Sequence, residues 1–250
     1  MKIFTKKIKK MIKECMLSGT NIFLKRIGYM AKPIGNDFKK INILDIEEFN
    51  SLVAPILQEK RTYLKEDRLY TLWQAVKQSL TLKGDIVEIG VFQGGSAKFI
   101  ALVIKRYKKE KEITLHLFDT FEGMPDLQTF VDQREKGGFE NTSIELVREY
   151  LSDFKNVKFY KGLVENNAYL IKDKSFSFIH IDVDIYNPCK FCLEFFGERL
   201  EPAGIIIADD YGFKTCPGIK KAVDEYIEKN FDKFYLFHLL TGQAMIVRVK

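Results

Sequence analysis

The chain has 250 residues, 46% of them apolar and 30% charged, a globular balance that excludes wholesale disorder. Six Pro and sixteen Gly exclude collagen-like or low-complexity character, and apolar runs no longer than Gly204-Ile205-Ile206-Ile207-Ala208 exclude a transmembrane helix. The net charge of +6 is uneven: residues 1–40 hold eleven Lys/Arg against Glu14 and Asp37, leaving 29 basic and 32 acidic side chains beyond them. A mildly acidic body argues against nucleic acid as partner. Four Cys are too few for a disulfide framework, so a reducing, cytoplasmic setting is expected.

Residues 1–10 carry Lys2, Lys6, Lys7, Lys9 and Lys10, but Lys13, Glu14, Ser18, Thr20 and Asn21 interrupt the apolar core that a signal peptide needs. Phe4, Ile8, Met11, Ile12 and Cys15 fall at helical spacing, which predicts a basic amphipathic helix. Its apolar stripe suits packing on the domain or a second subunit, and its charge suits an anionic membrane surface. Pro33-Ile34-Gly35-Asn36 reads as a linker.

From about Glu47 to Leu80 the pattern is helical and includes Trp73. Beyond Gly84 short apolar runs alternate with helical stretches. Strands are expected at Asp85–Ile89, Ile113–Phe118, Val157–Tyr160, Phe176–Ile181, Gly204–Ala208, Phe234–Leu239 and Ala244–Val249. Helices are expected at Ser96–Tyr107, Ser143–Leu151, Cys189–Leu200 and Ile219–Lys229. Such alternation points to a parallel sheet covered on both faces, whose ligands sit beyond the carboxyl ends of the strands. Glu88, Asp119, Asp182 and Asp209 each lie at such an end.

Glu88-Ile89-Gly90-Val91-Phe92-Gln93-Gly94-Gly95-Ser96 is a strand-to-helix turn with three glycines, which permit close backbone approach to a ligand. The spacing is not that of a dinucleotide fingerprint or a phosphate loop. Glu88, two residues before Gly90, suits a cationic amino group, and Asp119 can accept from two ribose hydroxyls. A nucleoside joined to an amino acid fits this rim better than a nucleotide. Asp182-Val183-Asp184, read as strand, places both acids on one side, near Asp209-Asp210. Carboxylates converging without a basic partner call for a divalent cation, with Mg²⁺ favoured by hard oxygen ligands. The competing reading makes Asp210 a turn cap and Asp184 a solvated loop acid.

Cys189-x-x-Cys192 lacks a second ligand pair and reads as packing. His180, His116 and His238 lie among apolar strand neighbours and read as core histidines. No nucleophile elbow appears.

Four segments in order, Val87-Glu88-Ile89-Gly90-Val91-Phe92-Gln93-Gly94-Gly95-Ser96, Phe118-Asp119-Thr120-Phe121-Glu122-Gly123-Met124-Pro125, Ile181-Asp182-Val183-Asp184-Ile185-Tyr186 and Asp209-Asp210-Tyr211-Gly212, resemble the macrocin and mycinamicin O-methyltransferase family. Cys216-Pro217-Gly218 with Lys221-Ala222-Val223-Asp224-Glu225 adds to the likeness, which runs from about Tyr63 to the end. Val183 and Ala203 depart from glycines common in the family. Members use S-adenosylmethionine to methylate sugar hydroxyls.

The resemblance implies a class I methyltransferase fold: an α/β, Rossmann-like, mostly parallel seven-stranded sheet with helices on both faces and the last strand antiparallel. Together with the charge and periodicity above, the chain reads as a basic amphipathic leader and linker (1–40), a helical extension (41–80) and a methyltransferase domain (81–250), the leader lying outside the likeness. The resemblance implies that Glu88, Gly90, Val91, Gly94, Gly95 and Ser96 hold the methionine end of the cofactor, and that Asp119 takes the ribose, with Thr120, Phe121 and Gly162 completing the set. It assigns Mg²⁺ to Asp182, Asp209 and Asp210, and catalysis to Asp184 and Asp182, with Asp184 as base or ligand.

The expected chemistry is in-line attack of a sugar hydroxylate on the sulfonium methyl, with the metal or Asp184 lowering the barrier to deprotonation. Residues 121–141 are expected to form a lid. Residues 1–30 would suit peripheral contact with the inner membrane face and a membrane-linked glycan acceptor; a homo-oligomer is left open. Rival readings are a catechol-type O-methyltransferase, a non-catalytic nucleoside-binding sheet domain, and a metal-dependent phosphoryl-transfer enzyme that lacks the usual phosphate loop.

Overall fold

Residues 47–126, 129–133 and 138–250 are described by the computed structural model of the protein, within one compact unit, Ile46–Lys250. The basic helix expected in residues 1–40 lies outside the described residues, as do 127–128 and 134–137 of the expected lid. Among the described residues no helix is long and apolar enough to cross a membrane.

The helical stretch before the sheet is two helices, α1 (Glu47–Glu59) and α2 (Glu66–Ser79). There follow β1 (Asp85–Ile89), α3 (Gly95–Arg106), β2 (Leu115–Asp119), α4 (Ile144–Tyr150), β3 (Val157–Lys161), α5 (Val164–Asn167) and a 3₁₀ turn at Ala168–Ile171. The chain continues with β4 (Phe176–Ile181), α6 (Tyr186–Gly197), β5 (Leu200–Ala208), α7 (Pro217–Lys229), β6 (Phe234–His238) and β7 (Ala244–Arg248). The sheet order is β3-β2-β1-β4-β5-β7-β6, with parallel pairing from β3 to β5 and β7 antiparallel to both its neighbours. This is the expected seven-stranded arrangement.

Every residue of β1 and β4 is buried. Both faces of a central parallel strand are covered, so the sequence runs apolar instead of alternating. The edge strands β3 and β6 are only partly buried. On leaving the centre, β1–α3–β2 steps one way and β4–α6–β5 the other, so right-handed crossovers place helices on opposite faces. α6 and α7 bury Cys189, Cys192, Phe196, Ile219 and Val223 in a core shared with β4 and β5. Elsewhere, α1, α2 and α3 meet around Phe49, whose ring contacts Trp73 and Phe99.

Most bounds shift from expectation by one or two residues, and the starts of α6 and β5 shift further. Helix α6 starts at Tyr186, because Pro188 in its first turn lacks only an N–H that has no intrahelical partner there. Strand β5 starts at Leu200 and passes through a register irregularity against β4, with Ala203 at φ 64°. An L-residue in that left-handed region is strained by about 1 kcal/mol. Ala203→Gly is therefore expected to raise stability by about 1 kcal/mol in urea unfolding; an unchanged midpoint would contradict the strain.

At the amino end of β1 the Asp85 carboxylate accepts from Thr114 N–H (2.9 Å), faces His116 Nε2 (3.1 Å) and pairs with Lys174 (3.2 Å). His116 Nδ1 lies 2.9 Å from the Tyr160 hydroxyl. Burial opposes the Asp85 charge, but hydrogen bonds from His116, Thr114 and Lys174 outweigh it and lower its pKa from 3.8 to about 2. A depressed carboxylate stabilises above its unfolded pKa and ceases to as pH falls through the folded one. Asp85→Asn should thus cost about 1–3 kcal/mol at pH 7. The gap should close between roughly pH 4 and pH 2, as read from urea midpoints across that range.

Candidate active site

Stepping outward from β1 to β3 and returning to β4 opens a crevice at the carboxyl ends of β1 and β4, the topological switch point. The backbones there nearly touch. Asp182 N–H donates to Ile89 O (2.9 Å) and Gly90 N–H to Phe118 O (2.9 Å). Gly90 has φ +87°, and a Cβ built on it would lie 1.8 Å from the Asp182 carbonyl oxygen. Only glycine fits this crossing.

A cavity of about 460 Å³ opens at the crevice. Its walls include Gly90, Val91, Ser96, Asp119, Thr120 and Gly162 of the expected cofactor set, and Asp182, Asp184 and Asp210 of the acid set. Gly94 and Gly95 instead turn the chain into α3; a Cβ on Gly95 would lie 2.7 Å from the Arg61 backbone. Phe121 is buried beside β3, its ring 6.5 Å from that of Phe159. Glu88 and Asp209 lie behind the cavity wall, 0% and 1% exposed.

Asp119 holds the turn itself. Its Oδ2 accepts from Val91 and Phe92 N–H (2.6 and 2.8 Å), and its Oδ1 from Phe121 N–H (2.6 Å). Burial pushes its pKa up against these backbone bonds. A ribose would have to share these oxygens, through lone pairs the backbone leaves over.

The acids after β4 do not sit as strand alternation predicts. β4 ends at Ile181, and Asp184 adopts φ 61° in the following turn, closed by Ile185 N–H to Val183 O. The acids fall into two adjoining groups, His180–Asp182–Asp209 and Asp184–Asp210–Cys216, each with its ligand atoms within 4.8 Å of one another. Cys216 Sγ donates to Asp184 Oδ1 at 3.2 Å.

The expectation that this cluster lacks a basic partner is overturned. Arg68 of α2 reaches Asp209 Oδ1 at 2.9 Å and Asp210 Oδ1 at 3.4 Å. His180, read from sequence as a core histidine, is fully buried but spans two site acids: its Nδ1 lies 2.9 Å from Glu88 Oε1 and its Nε2 3.5 Å from Asp209 Oδ2. Burial disfavours a charged imidazole, yet hydrogen bonds to Asp209 and Glu88 and their charges prevail and raise its pKa to about 10. Both ring nitrogens therefore donate at neutral pH.

Burial works against charge on Asp209 too, but His180 and Arg68 hold its pKa below the ordinary value. Asp182 and Asp210 go the other way. Burial and the charge of Asp209 raise Asp182 well above the carboxylate range. Burial with Asp209 and Asp184 lifts Asp210 to about 7. Glu88 Oε2 is buried with no hydrogen-bond partner among the described residues.

Arg68 and His180 were both hidden in the sequence. Arg68 sits among Lys, Glu and Asp residues, and its one signal is its spacing, four residues from each of the buried Leu64 and Leu72. His180 becomes significant only once β1 and β4 are neighbours and their register sets it beside Glu88. Replacing His180 with Leu would leave Glu88 and Asp209 buried without their shared cation. A loss of about 3–5 kcal/mol is expected in urea unfolding; less than about 1 kcal/mol would mean the imidazole is not charged.

Comparison with known proteins supplies the family and the fold. Residues 57–234 match the macrocin O-methyltransferase (TylF) family. Among characterised proteins, an 8-demethyl-8-(2,3-dimethoxy-alpha-L-rhamnosyl)-tetracenomycin-C 4'-O-methyltransferase of Streptomyces olivaceus is 29% identical over 57% of this chain and 58% of its own length. The match thus spans less than two-thirds of that relative. The mycinamicin III 3''-O-methyltransferase of Micromonospora griseorubida is 26% identical over 68% of this chain and 71% of its own. In the solved structures, the O-methyltransferase NovP shares the fold with a TM-score of 0.68 at 23% identity, covering 76% of this chain and 83% of NovP. With the match covering most of its length, the chain belongs to the macrocin O-methyltransferase family.

Proposed function

We propose that the protein is an S-adenosylmethionine-dependent O-methyltransferase that methylates a sugar hydroxyl with the help of Mg²⁺. The observation that carries this reading is one cavity at the switch point, lined together by the glycine turn, Asp119 and the acids Asp182, Asp184 and Asp210. Family membership supplies the reaction class. The named activities of the two relatives, on a rhamnosyl tetracenomycin and on mycinamicin III, support a sugar as acceptor.

The residues suit both groups. Gly90, Val91, Ser96, Asp119, Thr120 and Gly162 line a space that accepts a nucleoside-sized ligand, and the unpartnered Glu88 Oε2 leaves one buried acceptor next to that turn. Asp182, Asp209 and Asp210 offer only hard oxygen donors, as Mg²⁺ prefers. Burial first, and like-charge repulsion after it, raise the pKa values of Asp182 and Asp210, and a cation relieves the repulsion. When bound, the cofactor supplies an electrophilic sulfonium methyl and the metal a Lewis acid that eases loss of the acceptor proton.

The chain's own residues do the remainder. Asp184, at the cavity wall, takes the hydroxyl proton. The glycine turn and the acids hold the acceptor oxygen and the methyl donor in one space, which is where an entropic advantage arises. At the mouth, Tyr63 stacks on Phe92 (ring centroids 5.3 Å, 22°), and Phe139 meets both edge-on at 5.7 and 5.5 Å. Tyr63 is 65% exposed. Such an aromatic wall offers an apolar face to the C–H side of a sugar ring.

Calorimetric titration with S-adenosylhomocysteine, in Mg²⁺ and in EDTA, tests the reading. Micromolar binding is expected, and Asp184→Asn should retain it while methyl transfer to sugar acceptors slows by about 100-fold or more. No binding by folded protein would overturn the proposal.

A further inference from the structure

Asp209 is the acid on which three side-chain donors converge, beside the backbone N–H of Asp210. Its Oδ2 faces His180 Nε2 at 3.5 Å and Gln243 Nε2 at 3.4 Å, while Arg68 Nη1 makes the short contact, 2.9 Å from Oδ1. The same Nη1 is 3.4 Å from Asp210 Oδ1. Two of the three expected metal ligands are thus already paired with a cation that the chain itself carries. The arginine side chain is 15% exposed and the Asp209 side chain fully buried, so the contact is shielded from solvent screening.

The other terminal guanidinium nitrogen, Nη2, donates to the Tyr63 carbonyl oxygen at 3.2 Å. One side chain therefore ties the acid cluster to the loop that carries the aromatic mouth. The guanidinium carbon lies 5.4 Å from the centre of the Phe213 ring, and Phe213 is 41% exposed. An arginine leaving the carboxylates has an aromatic face beside it on which to rest.

We propose that Arg68 is the resident cation of the acid cluster: its guanidinium neutralises Asp209 and Asp210 in the metal-free chain, a divalent ion enters by displacing it, and the displacement releases Tyr63 at the cavity mouth. This rests on the metal-assisted reading above. Arg68 carries one positive charge and the incoming ion two, and an ion on Asp209 and Asp210 needs the very oxygens Arg68 holds. Metal affinity is then a difference between two cations competing for one set of carboxylates. Loading of the ion and opening of the mouth become a single event.

The test uses Mn²⁺ as probe on the full chain, with affinities from calorimetry or the electron paramagnetic resonance of free ion. Arg68→Met removes the charge at similar side-chain length, and Arg68→Lys keeps the charge without the fork. The Met variant should bind Mn²⁺ at least about tenfold tighter than the parent, with the Lys variant between them. In EDTA the Met variant should melt below the parent, and saturating Mn²⁺ should close that gap. Trypsin should cut the parent faster at Lys60, Arg61 and Lys65 once Mn²⁺ is added.

Binding by the Met variant alone would overturn the displacement step, since the ion would then be unable to move the arginine. Equal or weaker affinity in the Met variant would overturn it and leave the metal site standing. No Mn²⁺ binding by parent or either variant would remove the metal and this proposal together, without touching the result with S-adenosylhomocysteine.

Discussion

Five carboxylates, those of Glu88, Asp182, Asp184, Asp209 and Asp210, share one end of the sheet with little solvent around them. Burying like charges together is prohibitive unless cations come with them. His180 and Arg68 are those cations, and they come from different layers: one from the central strand β4, the other from helix α2 ahead of the sheet. The result is a line of alternating sign, Glu88–His180–Asp209–Arg68, running from behind the glycine turn to the edge of the cavity. Proton distribution follows from that line. The acid flanked by both cations stays ionised, while burial and repulsion raise Asp182, and raise Asp210 in spite of its longer contact with Arg68.

Backbone geometry imposes a second constraint on the same place. The crossing of Gly90 over Asp182 leaves no room for a side chain. Around it Phe92, Phe121, Asp184 and Asp210 all adopt positive φ without being glycine. Left-handed conformations in bulky residues cost free energy and persist where the surroundings over-determine them. Here the surroundings are the Asp119 carboxylate, which gathers the N–H groups of three of the neighbouring turn residues, and the strand ladders that continue past β1 and β4. Asp119 thus shapes the turn as well as facing the cavity.

The sheet was readable because each central strand is a short apolar run, and β4 spans the same six residues in sequence and structure. Boundaries blurred where backbone rules are locally suspended, at Pro188 inside a first helical turn and at Ala203 in a left-handed conformation. Most of the acids that meet at the cavity were visible as a series of strand-end residues. Their partners were not. A histidine among isoleucines looks like core until the strand beside it is known, and an arginine in a charged helix looks solvated until that helix is docked. Residue type and spacing report local structure well, whereas charge pairing across 141 positions is a property of the tertiary fold.

Arg68 also bears on modularity. Composition draws a natural line near residue 80, between a helical extension and the sheet, and by that line the extension is an accessory. Yet α2 delivers one of the two cations that make the acid cluster tolerable, and the Arg61 backbone sits against the start of α3 where Gly95 makes room for it. A fragment beginning at the sheet would keep every acidic motif and lose part of what neutralises them. The two segments are therefore one inheritable unit: recombination that exchanged the extension without regard to position 68 would leave a sheet that looks intact in sequence and is electrostatically unbalanced.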